Sequence, residues 1–254
     1  MMDKTIQIYT RSMNPKLYHR AMFLCDLPYE KKRLLNTTAG GYLVQLLQAD
    51  AEWVLNIDED AFVFDKEALN DLVDYCIDNG YENCGMPDGG VVHLRKMNPL
   101  VTNPYFNLFH VKTIREKLSK AESLDIRLED VDVNQLFSDL SCFREPYNFH
   151  CVDAEPYYPL LLWMSQNVKT LYLNATNHPD GESTVLENHK GRPFLIHTWY
   201  SRFYGRDKTH TKRINKAFEE CLEKRSISYK EPLSDRLYEP MMKAKRFFKR
   251  IIPF

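Results

Sequence analysis

No Cys-x-x-Cys pair occurs in the chain: its six cysteines, Cys25, Cys76, Cys84, Cys142, Cys151 and Cys221, are scattered. That absence argues against a zinc ribbon and a thioredoxin-like pair, and predicts reduced, mostly buried thiols in a cytosolic setting. Long apolar runs are missing too. The densest, Tyr157 to Met164, is far too short to cross a bilayer, and Met1 to Thr5 form no apolar signal region. A cytoplasmic protein is expected, either free or peripheral on the inner face of the cytoplasmic membrane. An excess of one charge is also lacking, with 34 basic residues against 35 acidic ones. A whole-chain nucleic-acid footprint is therefore absent, and no nucleic-acid partner is expected. There are no internal repeats and no low-complexity segments.

What is present suits one large α/β unit. The chain has 254 residues, 44 % of them apolar, enough to bury a sizeable core. Charge is uneven along it. The stretch from Asp50 to Asp88 is acid-rich and the last dozen residues are basic, which points to local binding functions.

Thr5 to Tyr9 reads as a first strand. Asn14-Pro15 follows as an N-cap with proline at the first helical position, opening a helix to about Cys25. Tyr29 to Leu35 reads as a charged strand, and Gly40-Gly41 opens a short helix through Leu47. Trp53 to Ile57 is an apolar run too short for a helix, hence a buried strand. Asp65 caps a helix to about Asn79, with Phe64 and Leu69 placed as a staple. Further on, strands are expected at Tyr105 to Val111, Phe149 to Val152, Val168 to Leu173 and Pro193 to His197. Helices are expected at Lys112 to Lys120, Pro156 to about Asn167 and Asp207 to Lys224, while Asp125 to Glu145 has no clear pattern. This alternation predicts a mostly parallel central sheet flanked by helices, of Rossmann type, over residues 1–230. Residues 231–254 are expected to form a basic tail.

The segment Trp53-Val-Leu-Asn-Ile-Asp-Glu-Asp-Ala-Phe-Val-Phe64 carries the strongest chemical signal. Three acids lie between two apolar runs, and unpaired buried carboxylates are costly. At the carboxyl end of a strand, Asp58 and Asp60 can aim at one point, where ligands sit in such sheets. Hard oxygen ligands suit Mg2+ or Mn2+. A plain acidic loop capping the next helix would use the same residues.

Taken together, Ile6-Gln-Ile-Tyr-Thr10, Asn36-Thr-Thr-Ala-Gly-Gly41 and Trp53-Val-Leu-Asn-Ile-Asp-Glu-Asp60 resemble the nucleotide-binding half of GT-A fold glycosyltransferases. The resemblance covers roughly residues 5 to 65. From 90 to 205 it rests on the order of elements, and it does not reach the tail. It implies a surface-polysaccharide type of enzyme that moves a sugar from a nucleotide-sugar donor to a glycan or lipid-linked acceptor. A UDP-sugar is preferred over a GDP-sugar, and Mn2+ or Mg2+ is the cofactor. Asp60 becomes a direct metal ligand, Asp58 a ligand near the ribose or sugar, and His197, ending Phe194-Leu-Ile-His197, a further ligand. Thr10 and Arg11 would border the base and ribose, and Asn36 the nucleotide. Gly89, Gly90 and Asn107 would lie by the transferred sugar and acceptor. Trp199, Tyr200, Arg202 and Tyr204 would border the diphosphate or acceptor. Either Asp153 or Glu155 would take the acceptor proton, although acids before a helix also serve as ordinary caps.

From Pro240 the chain runs Pro-Met-Met-Lys-Ala-Lys-Arg-Phe-Phe-Lys-Arg-Ile-Ile-Pro-Phe254. Met241, Ala244, Phe248 and Ile251 recur at helical spacing among five cations. This predicts an amphipathic basic helix on an anionic membrane surface, although a terminal helix packed on the domain with a solvated basic face would show the same pattern. Two other functions fit parts of the pattern. A sugar-phosphate nucleotidyltransferase is disfavoured because Thr10-Arg-Ser-Met-Asn-Pro15 has no glycine. A non-enzymatic membrane-surface module would make the acids structural.

Overall fold

The structure, a computed structural model, describes residues 5–88, 97–124, 151–238 and 240–241. The candidate sugar-site glycines Gly89 and Gly90, the stretch 125–145 and the tail beyond Met241 lie outside the described residues.

Two sheets organise the chain. The larger contains β1 (Ile6–Arg11), β2 (Glu30–Leu34), β3 (Trp53–Ile57), β5 (Asn83–Gly85), β6 (Phe106–Phe109) and β7 (Thr170–Tyr172), in the order β2-β1-β3-β6-β5-β7. β1 pairs in parallel with β2 and β3, and β5 with β7, while β6 runs antiparallel between β3 and β5. The sheet is thus mixed and mostly parallel, as the strand–helix alternation predicts. The second sheet is antiparallel, in the order β4-β10-β9-β8, with β4 (Ala61–Val63), β8 (Ala175–Asn177), β9 (Thr184–Glu187) and β10 (Pro193–His197). Helices are α1 (Pro15–Leu24), α2 (Gly41–Leu47), α3 (Lys66–Asp78), α4 (Val111–Leu118), α5 (Tyr158–Asn167) and α6 (Lys208–Lys224).

The helix starts follow local chemistry. The Asn14 side chain accepts hydrogen bonds from the amides of Lys16 and Leu17, and Asp65 and Asp207 do the same for Ala68 and His210. Each such cap is worth about 1 kcal/mol. Strand faces follow the period of two. On β1, Ile8 and Thr10 face α1, while Tyr9 joins the opposite core with Tyr42, Leu43 and Leu46 of α2. β3 is buried along its whole length, sending Leu55 and Ile57 to one face and Val54 to the other. Each such aliphatic side chain contributes about 1.5–3 kcal/mol through burial.

The core on the α1 face continues into the second sheet through Phe62, Phe194 and Ile196, and into α6 through Ile214 and Phe218. Within β10 the register shifts between Pro193 and Leu195, a bulge with Phe194 as its extra residue. Three strands of the second sheet, β4, β8 and β9, are short and escaped the periodicity. Cys151 and Val152, expected at the end of a strand, carry no regular structure. The described cysteines are free thiols, four buried and Cys151 half-buried.

After α6 the chain returns to α1. Glu231 lies 3.1 Å from Lys16 and 2.8 Å from Arg20, and the buried Asp235 lies 2.9 Å from His19 Nδ1. Residues 233–238 are helical there. Among the described residues no helix is long and apolar enough to cross a membrane.

A candidate metal centre between the two sheets

The acids sit where the chain leaves one sheet for the other. At the carboxyl end of β3, the Asp58 amide donates to the Tyr105 carbonyl at 2.9 Å, and the Ala61 amide donates to the Asp58 carbonyl at 3.1 Å. This tight turn delivers the chain into β4. There Ala61 stands directly opposite His197 in the antiparallel register, and the Thr198 amide and hydroxyl both donate to the Asp60 carbonyl. The pairing register therefore sets Asp60 and His197 side by side, with Nε2 3.4 Å from Asp60 Oδ1.

Asp58 joins them. One ligand atom from each of Asp58, Asp60 and His197 lies within 4.8 Å of the others; Asp60 and His197 are buried and Asp58 is half-buried. Two carboxylates against one imidazole leave negative charge in a poorly solvated place, which a cation would cancel. Two hard oxygens and one imidazole nitrogen fit Mn2+ and Mg2+, so the residues present suit the divalent ion that the Asp-x-Asp pattern implies.

Glu59 does a different job. It points away from its two neighbours, into the loop between β1 and α1. One of its oxygens accepts from Ser12 Oγ (2.7 Å), the Asn14 amide (2.8 Å) and the Met13 amide (3.0 Å). Burial pushes its carboxyl up to about 7, opposed by the hydrogen bonds from Ser12, Asn14 and Met13. The middle acid thus fastens the metal turn to the β1–α1 loop and occupies that loop's amides.

Aromatic rings hold the histidine. Tyr105 stacks on His197 with ring centres 4.1 Å apart, and Trp199 lies tilted against it at 4.2 Å. Trp199 and Tyr200 both adopt left-handed backbone, with φ of 57° and 62°. Bulky residues rarely do so, and such strain persists where surroundings enforce it. The surroundings are visible. Trp199 Nε1 donates to Thr184 Oγ1 at 3.0 Å. Arg213 of α6 donates to the Trp199 carbonyl at 3.3 Å and to Ser183 Oγ at 2.8 Å, and it pairs with Glu182 at 3.0 Å.

A cavity of about 530 Å³ opens over the cluster, within the range of small-molecule sites. Asp58, Asp60 and His197 line it, as do Arg11, Glu155, Trp199 and Arg202. Tyr42, Tyr105, Tyr157 and Tyr200 supply much of its wall. The Tyr42 hydroxyl is pushed well above its ordinary pKa by burial, reinforced by Asp58, so it remains a donor. Gly40 lets α2 approach the segment bearing Glu155 and Tyr157, since a Cβ there would stand 3.2 Å from the Pro156 carbonyl oxygen.

Other residues singled out in the sequence lie elsewhere. Thr10 is buried on the opposite face of β1, its hydroxyl 3.7 Å from the Met22 sulfur. Asn107 is buried in β6, opposite Asn56, and donates to Thr102 Oγ1 at 3.0 Å. Asn36 is exposed, with a left-handed φ of 55°, and Asp153 is exposed; neither is in the cavity lining. Tyr204 is buried, and its hydroxyl donates to Asn215 between α1 and α6. Sequence reading missed Tyr42, Tyr105, Asn103 and Tyr157, all of which line the cavity. Tyr42 had a usable signal, directly after the paired glycines that open α2. Tyr105 and Asn103 had none, because an antiparallel neighbour of β3 brings them in.

No protein-family model matches the chain, and no curated protein matches it. Solved structures similar to it include the crystal structure of A197 from STIV, at 12 % identity and a TM-score of 0.39, over 75 % of this chain and 93 % of that one. Another is the mannosyltransferase PcManGT from Pyrobaculum calidifontis in complex with GDP-Man and Mn2+. It shows 11 % identity and a TM-score of 0.41, over 95 % of this chain and 69 % of that one. At these values function must be read from the cavity's own residues.

Proposed function

We propose that the chain is a metal-dependent glycosyltransferase taking a nucleotide-sugar donor. The observation that carries this reading is the convergence of Asp58, Asp60 and His197 on one point at the floor of the cavity. In this reading the three residues hold Mn2+ or Mg2+, which when bound offsets charge on the departing diphosphate. Arg11 and Arg202 add cationic walls for phosphate oxygens, and Arg presents a planar fork suited to them. The tyrosine and tryptophan rings offer flat faces to base and sugar. Glu155, which lines the cavity where Asp153 does not, takes the proton of the acceptor hydroxyl. The acceptor would be a glycan or a lipid-linked glycan.

The β1–α1 loop supports transfer of a sugar over synthesis of a sugar nucleotide. A phosphate cradle there would need backbone amides, and those of Met13 and Asn14 already bind Glu59. Calorimetric titration of UDP and GDP, with Mn2+ and then with EDTA, tests the proposal. Metal-dependent binding that vanishes in Asp60→Asn is expected. Binding unaffected by EDTA or by that substitution would overturn it.

A further inference from the structure

The segment that follows α6 carries an apolar stripe that the fold leaves uncovered. Leu233, Leu237 and Met241 are 70 %, 47 % and 64 % exposed, one per helical turn. The helix is oriented by its other side. Asp235, two positions and about 200° from Leu233, is buried against His19 and Tyr229. The stripe therefore points outward because the opposite face is pinned to α1.

The charge around the stripe identifies its occupant. Lys230 and Arg236 are exposed beside it. Of the nearby acids, Glu231 pairs with Lys16 and Arg20 and Asp235 lies against His19, while Glu239 is the one further acid in the sequence between Asp235 and the terminal cations. Beyond Met241 the sequence adds Lys243, Lys245, Arg246, Lys249 and Arg250 and no acid. Apolar residues flanked by cations match a surface of anionic headgroups over acyl chains. A second copy of this chain would bring like charges together on the same face.

We infer that Leu233, Leu237 and Met241, with Lys230 and Arg236, dock the protein on an anionic lipid surface. The docking face and the cavity share one end of α1. Lys16, in its first turn, holds Glu231, and Met13, 78 % exposed, stands at the cavity wall just before it. This inference stands apart from the glycosyltransferase reading, because it needs neither metal nor nucleotide.

The test is cosedimentation of the full chain with vesicles of phosphatidylcholine alone and of phosphatidylcholine with phosphatidylglycerol. Binding to the anionic vesicles that weakens at high salt is expected. The triple variant Leu233→Gln, Leu237→Gln, Met241→Gln should bind them at least about tenfold more weakly. The positions are exposed, so its melting temperature and its metal-dependent nucleotide titration should match the parent. Four outcomes overturn the inference. The parent ignores anionic vesicles; the variant binds them equally well; the parent forms a dimer that the variant abolishes; or the variant loses nucleotide binding, which would make the helix a support for the cavity.

Discussion

The two sheets contribute to the same candidate metal cluster by different means. The larger one supplies Asp58 at the end of a buried strand paired in parallel with β1 and antiparallel with β6, where its position follows from the run of Trp53 to Ile57. The smaller one supplies His197 through antiparallel register, because β10 lies against β4 with His197 opposite Ala61. Asp60 belongs to the turn that joins them. The first contribution is local in sequence, whereas the second spans more than a hundred residues. A site divided this way depends on the packing of one sheet against the other as much as on its ligands.

That division can be broken at graded points. Asp60→Asn strikes the junction itself, and activity or metal-dependent nucleotide affinity should fall by about a hundredfold. Wild-type titration heats in this variant would count against the metal centre. Glu59→Ala removes the common acceptor of Ser12, Met13 and Asn14. Stranding those donors should cost about 3 kcal/mol in denaturant unfolding, with Glu59→Gln recovering part of it. An unchanged midpoint would mean that the β1–α1 loop is held by other contacts. On the smaller sheet, Arg213→Ala releases the Trp199 carbonyl from behind. Nucleotide affinity should drop by about tenfold, with Arg213→Lys recovering little because it lacks the fork. Equal affinity in both variants would remove Arg213 from the support of the site. The smallest effects separate the two faces of β1. Arg11→Ala should weaken nucleotide binding by roughly tenfold, whereas Thr10→Val should leave it unchanged and shift stability by less than about 1 kcal/mol. A loss in Thr10→Val would mean that the strand's faces are reversed.

The first half of the larger sheet was legible in the sequence because its signals are local. Asn14, Asp65 and Asp207 announce helix starts, and β3 announces itself as a short apolar run between acids. Asp58, Asp60 and His197 were singled out for the same reason, since Asp58 and Asp60 follow one readable strand and His197 ends another. The alternation of faces was the signal left unused. Counting by two from the core residues Ile8 and Tyr9 turns Thr10 inward and Arg11 toward Tyr42. In the second sheet β10 was legible but β4, β8 and β9 were not, since they are three or four residues long. Strands that short show no periodicity, and pairing across the chain decides them. The resemblance alone places Asn107 by the transferred sugar and acceptor. In the fold its polarity answers Thr102 in the interior.

The bulge at Phe194 has a consequence for how the chain tolerates changes of length. It is the single residue by which β10 runs out of step with β9, and β10 carries His197 three residues later. Because side chains alternate, deleting one residue between Phe194 and His197 would turn the imidazole to the opposite face, away from Asp60. Deletions of two would shorten the strand yet restore its facing. The turn at Asn188 to Arg192 lies outside this count, but Asn188 fastens it to α3 through the Ala68 carbonyl and Asp71. Natural variation or engineered changes of length should therefore spare β10, which keeps its parity.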